Sequence, residues 1–284
     1  MQLLSYALSS LVLATSFSTA SPSNLSQNIT ACARAASQLS CSDTKNPVDP
    51  TSFGTCCYNG ALKPGFKESG LVLATQFYDA KPSTGPNDST TIHGLWPDYC
   101  DGTYPQYCTA DSGIPTYTGA QIASLIKQYS PKTYDYMTVY YKDISGNDAS
   151  FWEHEWNKHG TCFTTLRSYC VAPRNGANQT VSALVGYFEE IVQRFQKLPT
   201  FDWLKEAGIV PSTTKTYKLT AIQEALEKKF GATPYIGCSG ASKANLDEFW
   251  YFYHTYGPII GGYYVPTPST TNSSCAAEVS YLPK

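Results

Sequence analysis

The sequence predicts a single α+β domain: a central, mostly antiparallel sheet flanked by helices and stapled by disulfides. Three observations carry this expectation. Aromatic and β-branched runs of strand length (residues 70–78 and 249–256) stand apart from stretches with helical spacing (181–198 and 220–230), with no regular βαβ alternation. Ten cysteines, an even number, suit a disulfide framework in an oxidising compartment. The 284 residues, 42% hydrophobic and 15% charged, can bury a substantial core, and no internal repeat or long linker divides them. This composition excludes a disordered chain and a bundle of membrane spans.

Residues 1–20 (MQLLSYALSSLVLATSFSTA) form a short apolar run ending in Ser18, Thr19 and Ala20, which predicts a signal peptide cleaved near Ala20 and a mature domain over 21–284. No basic residue opens the run, a departure from the usual signal, but no second long apolar stretch follows, so no membrane association is expected. Sequons at Asn24, Asn28, Asn87, Asn178 and Asn272 fit a glycosylated secretory protein. Residues 21–60 read as an irregular arm pinned by Cys32, Cys41, Cys56 and Cys57. Residues 70–78 read as a buried strand, and 90–96 as a second strand ending before Pro97. Helical spacing covers 121–128, 181–198, 201–207 and 220–230, the last closed by Gly231. The run 249–256 reads as a buried strand in which His254, without charged partners, is a packing residue. Residues 266–274 read as loop, tied back by Cys275.

Three of the four histidines fall in two short segments, TIHGLWPDYC (91–100) and FWEHEWNKHGTC (151–162). On a helix, Glu155 and His159 are an i,i+4 pair, as are His154 and Lys158, so the four share one broad face, with Gly160 as a stop and His159 in the last turn. A merely solvated charged face is the plain alternative; Trp152, Trp156 and Cys162 within the segment argue against it. Zinc hydrolysis is disfavoured. HEWNKH puts the second histidine at i+5, about 140° round the helix, with Lys158 where a ligand would be needed. No GxSxG occurs, and the cysteines are committed to bridges, so Ser or Cys nucleophiles are also disfavoured. A net charge of −2 provides no global cationic field, so a polyanion must be held locally. Two imidazoles beside a lysine and a carboxylate suit phosphoryl transfer from an internal nucleophile, such as the 2′-OH of RNA.

IHGLWPDYC and FWEHEWNKHGTC resemble the two active-site signatures of the ribonuclease T2 family, the fungal branch above all, and the resemblance runs from about Cys32 to the C-terminus. It implies cleavage of single-stranded RNA, but not DNA, without metal or other cofactor, through a 2′,3′-cyclic phosphate that is then hydrolysed to a 3′-phosphate. His159 would be the general base and His93 the general acid. His154 would contact the phosphate, while Glu155 and Lys158 would stabilise the transition state. Trp96 and Tyr104 would sandwich the 5′-side base. Asp98 would favour an exocyclic amine, unless it only caps a turn after Pro97. Gln76 and Phe151 match part of a second base site, or are ordinary strand and core residues. Glu153 is set aside as first-turn helix stabilisation. The resemblance also implies the bridges Cys32–Cys57, Cys41–Cys100, Cys56–Cys170, Cys108–Cys162 and Cys238–Cys275. The expected protein is a monomer, extracellular or in a vacuolar, lysosome-like compartment. The rival expectation is a secreted binding or toxin protein that uses the same fold without catalysis.

Overall fold

A computed structural model describes residues 38–42, 56–57, 59–60 and 67–284. The expected signal segment, Cys32, Asn24 and Asn28 lie outside them. Strand β1 (Ser69–Phe77) pairs antiparallel with β2 (Thr91–Tyr99). β2 continues through Pro97, beyond the predicted end, because it terminates the sheet order β2-β1-β5-β7-β3, and an edge strand tolerates a residue without an N–H.

The aromatic run forms the middle of β5 (Asn245–Tyr256), the long central strand. β1 pairs along one side of it, while β4 (Tyr235–Ser239) and β6 (Tyr263–Thr267) pair in succession along the other. β3 (Thr216–Lys218) and β7 (Glu278–Ser280) complete the far edge; among the described residues only the β5–β7 contact is parallel. β6 takes Pro266 and Thr267 from the stretch expected to be loop.

The helices are α1 (Thr109–Ser112), α2 (Gly119–Tyr129), α3 (Pro131–Tyr140), α4 (Asp148–Lys158), α5 (Gln179–Gln196), α6 (Thr200–Glu206) and α7 (Leu219–Phe230). Gly231 ends α7 at φ 98°, as its position predicts. α3 escapes sequence analysis because it has only one buried residue, Met137, and so no apolar stripe.

Alternation along the strands creates two faces. Val72, Ala74, Tyr78, Phe249 and Tyr251 pack with the helices in the main core, which also takes in Ile92 and Leu95 of β2, while Leu71, Leu73 and Phe252 pack on the other side with Trp96 and Trp250. Four of the implied bridges are present: Cys41–Cys100, Cys56–Cys170, Cys108–Cys162 and Cys238–Cys275. Cys57 is also disulfide-bonded.

Candidate active site

His93 reaches the site through a β-bulge. The β1–β2 ladder pairs Thr75 with Gly94 but Gln76 with Ile92, leaving His93 as the extra residue, and such an insertion re-aims a side chain. The ring of Phe77 stacks on His93 at 3.7 Å between centroids, and Phe151 lies at 5.8 Å.

The other groups come from α4, which is fixed by its tryptophans. Trp152 Nε1 donates to the Tyr141 carbonyl at 3.0 Å and Trp156 Nε1 to that of Pro115 at 2.9 Å. Beyond the helix, the Tyr107 N–H donates to the Lys158 carbonyl at 2.9 Å and the Cys108–Cys162 bridge closes the corner. Tyr187 of α5 joins the two motifs: its hydroxyl donates to the Leu95 carbonyl at 2.9 Å and lies 3.4 Å from that of Glu155.

At the centre stands Glu155, with 0% of its side chain exposed. Its Oε2 accepts a hydrogen bond from Trp96 Nε1 at 2.8 Å; Oε1 lies 3.8 Å from His93 Nε2 and 4.0 Å from His154 Nε2. The Trp96 indole stacks on His159 at 4.8 Å and meets His93 edge-on at 4.6 Å, so one ring spaces both imidazoles. His154 is the open member, 44% exposed. Gly94 makes room for this arrangement, because a Cβ there would lie 2.0 Å from Glu155 Oε2 and 2.7 Å from Trp96 Nε1. Gly94→Ala is therefore expected to displace the Glu155–Trp96 pair and, if the chain has the RNA-cleaving activity that the two motifs imply, to lower it by about 10²-fold, with kinetics and a melting curve separating misplacement from unfolding.

Burial dominates the electrostatics. It pushes the Glu155 carboxyl up to about 8, against the opposing pull of Trp96 Nε1 and Lys158. It pushes His159 down to about 2, with Lys158 and His154 acting in the same sense, and overrides the helix-end preference for imidazolium. His93 is lowered by burial and by His159, His154 and Lys158; His154 is lowered by burial and Lys158. Burial thus favours the protonated carboxyl at Glu155 and the neutral imidazole at His93, His154 and His159.

Trp96, Asp98 and Tyr104 line one 380 Å³ cavity beside Lys158 and His159; Trp250 and Phe252 of β5 complete it. Burial pushes the Asp98 carboxyl up to about 7, which leaves it able to donate as well as accept near neutrality. Phe151 lines a second cavity, of 520 Å³, that begins at Phe77 and reaches Asp79 and Asp247.

Gln76 departs from its expected role. It is 1% exposed, its Nε2 donates to the Leu198 carbonyl, and its Oε1 accepts from Thr90 and Thr200, so its amide is spent inside the helix-facing core. Its strand neighbour Phe77, pointing the other way, is the β1 residue that meets His93. Glu153 is not a first-turn residue. It sits midway along α4 and its Oε2 accepts the Gly119 N–H at 2.7 Å, at the start of α2. Gly160 does not stop α4 in a left-handed turn but opens a 3₁₀ turn, where a Cβ would strike the Trp156 ring at 2.6 Å.

The i+5 spacing also separates the histidines less than an ideal helix would. His159 caps α4 outside the helix proper, and ligand-capable atoms of His154, Glu155 and His159 lie within 4.8 Å of one another. The adjacent Lys158 charge opposes a divalent cation there.

Fold and site together define a disulfide-stapled α+β protein with three histidines around one buried carboxylate, beside an aromatic-lined cavity. The chain belongs to the ribonuclease T2 family, whose model matches residues 51–273. It is 43% identical over 254 residues to Ribonuclease T2-like 1-A of Candida albicans, covering 87% of this chain and 58% of that protein. Ribonuclease Trv of Hypocrea rufa is 42% identical over 247 residues, covering 87% and 95%. The chain therefore spans little more than half of the first relative and nearly all of the second. Among solved structures, the T2 ribonuclease Actibind superposes with a TM-score of 0.74 at 38% identity, covering 88% of this chain and 97% of that one. Human RNase T2, at TM-score 0.51 and 23% identity over 75% of this chain and 97% of that one, shares the fold.

Proposed function

We propose that the protein is a metal-independent endoribonuclease that cleaves single-stranded RNA by transphosphorylation, forming a 2′,3′-cyclic phosphate that it then hydrolyses to a 3′-phosphate. The observation that carries this reading is the placement of His93 and His159 against one indole, with the buried Glu155 and Lys158 beside them. His159, with neither ring nitrogen hydrogen-bonded, has a lone pair free to take the 2′-OH proton, and the bound phosphodiester's negative charge would raise its basicity from the low value that burial gives it. The 2′-oxygen attacks phosphorus and the bond to the 5′-oxygen breaks. His93, protonated once the anionic phosphodiester is bound, gives its Nε2 proton to that oxygen. In hydrolysis the roles reverse, with His93 taking a proton from water. Lys158 and protonated Glu155 stabilise the developing phosphorane charge, and exposed His154 contacts a phosphate oxygen. Trp96 and Tyr104 stack the 5′-side base, and Asp98 favours an exocyclic amine.

Secretion or delivery to a vacuolar compartment, a monomeric state and glycosylation belong to the same proposal; Asn87, Asn178 and Asn272 are exposed, which supports glycan attachment there. The test is product analysis on dinucleoside phosphates across pH. Cyclic phosphate should appear first, with and without chelator, and the matching deoxydinucleotides should stay intact. Loss of activity with chelator, or cleavage of the deoxy substrate, would refute the mechanism.

A further inference from the structure

Resting on the cleavage chemistry above, we propose that Glu248 is a positioning residue for the general acid: its carboxylate holds the rear nitrogen, Nδ1, of His93 so that Nε2 faces the leaving oxygen. Glu248 Oε2 lies 4.0 Å from His93 Nδ1, and that nitrogen is buried with no hydrogen-bond partner. Unliganded sites often hold such pairs slightly apart and tighten them around substrate.

The sheet builds the contact. Glu248 of β5 stands directly opposite Phe77 of β1, and opposed residues of an antiparallel pair project to the same face, so the residue that stacks on His93 and the one that reaches its Nδ1 arrive together. On the other flank β4 presents Gly237, where a Cβ would lie 2.3 Å from Glu248 Cγ; a side chain at 237 would close the slot the carboxylate occupies. Trp250 Nε1 donates to Glu248 Oε2 at 2.9 Å, and the same indole lines the base cavity, which ties the acid to the bound base through one residue.

The charges around His93 show why such a partner is needed. From α4, His154, Lys158 and His159 all disfavour the imidazolium, as does burial, while Phe77, Trp96 and Phe151 contribute uncharged rings. Glu155, also from α4, lies on the Nε2 side, at 3.8 Å. That nitrogen must face the leaving oxygen, so Glu155 cannot hold the ring from behind. Glu248, on the Nδ1 side, can. Around Glu248 itself stand Asp247, Asp79 and Lys243. With Nδ1–H directed at Glu248, the ring that has given up its Nε2 proton is left in the tautomer whose Nε2 lone pair accepts a proton from water, as hydrolysis requires.

The test is Glu248→Gln, which keeps an oxygen for Trp250 Nε1 and the side-chain volume. On a dinucleoside phosphate, kcat should fall on the order of tenfold with KM nearly unchanged, and the alkaline limb of the pH profile should move to lower pH. On uridine 3′-(4-nitrophenyl phosphate), whose leaving group needs no proton, the variant should match the wild type. Glu248→Asp should recover part of the loss. His93 should also titrate at lower pH in Glu248→Gln by NMR, a reading that requires only folded protein. An unchanged dinucleotide rate, or an equal loss on both substrates, would overturn the assignment. A wild type that forms no cyclic phosphate sinks the cleavage reading itself and is recognised before any variant is compared.

Discussion

His93→Phe and His159→Phe are each expected to lower cyclisation of a dinucleoside phosphate by about 10²–10⁴-fold, and the double variant is expected to fall much less than the product of the two. Phenylalanine suits both positions. His159 stacks on Trp96 and His93 is stacked by Phe77, so a six-membered ring preserves the contacts while removing the proton carriers. Neither nitrogen of His159 has a hydrogen-bond partner, so its replacement strands no buried donor and the melting temperature should hold or rise. The two variants should part company on uridine 3′-(4-nitrophenyl phosphate). A leaving group that needs no proton rescues loss of the acid but not loss of the base, so His93→Phe should recover and His159→Phe should not. Near-native dinucleotide cleavage by either folded variant would show that the acid and base have been misassigned.

The grouping of this site's residues was legible in the sequence because they sit in two short strings, and helix geometry alone brings His154, Glu155, Lys158 and His159 towards one place. The burial of that place was not legible. The helix dipole argues for a charged His159, yet its exclusion from water, with Lys158 alongside, lowers it to about 2. Long-range partners were equally hidden. Tyr187 joins β2 to α4 from a helix that the sequence marks only by its spacing, and Glu248 looks like a flank of an aromatic run. Gly94 was the one missed residue with a local signal, since glycine inside a strand marks a bulge or a close approach. Gln76 shows how adjacent strand residues divide: of the two readings open to it the structure fits the ordinary strand residue, while Phe77 on the opposite face is the one that meets His93. β4, β6 and β7 are short, and their placement comes from pairing with β5 or β3 instead of from a pattern of their own.

Glu155→Gln should separate function from stability at the same atom. Glutamine keeps an oxygen for Trp96 Nε1 but cannot ionise or exchange a proton with the imidazoles, so cleavage should fall on the order of 10²-fold. Stability should move the other way, and only at higher pH. Burial raises the folded-state pKa of Glu155 from 4.5 to about 8, so the folded protein binds this proton more tightly than the unfolded chain. The stability this proton contributes is complete below the unfolded value of 4.5 and is lost as pH rises through about 8. A neutral amide at this position never meets that loss. The variant should therefore melt with the wild type near about pH 4.5 and be more stable by about 1–3 kcal/mol at about pH 8, a rise of several degrees in Tm. His159, shifted in the opposite direction, loses its contribution as pH falls below 6.5 in both proteins and so cancels from the comparison. A variant less stable than the wild type at alkaline pH would mean that the ionised carboxylate holds the motifs together. A more stable, inactive one would mean that the fold tolerates a costly buried acid for the sake of the reaction.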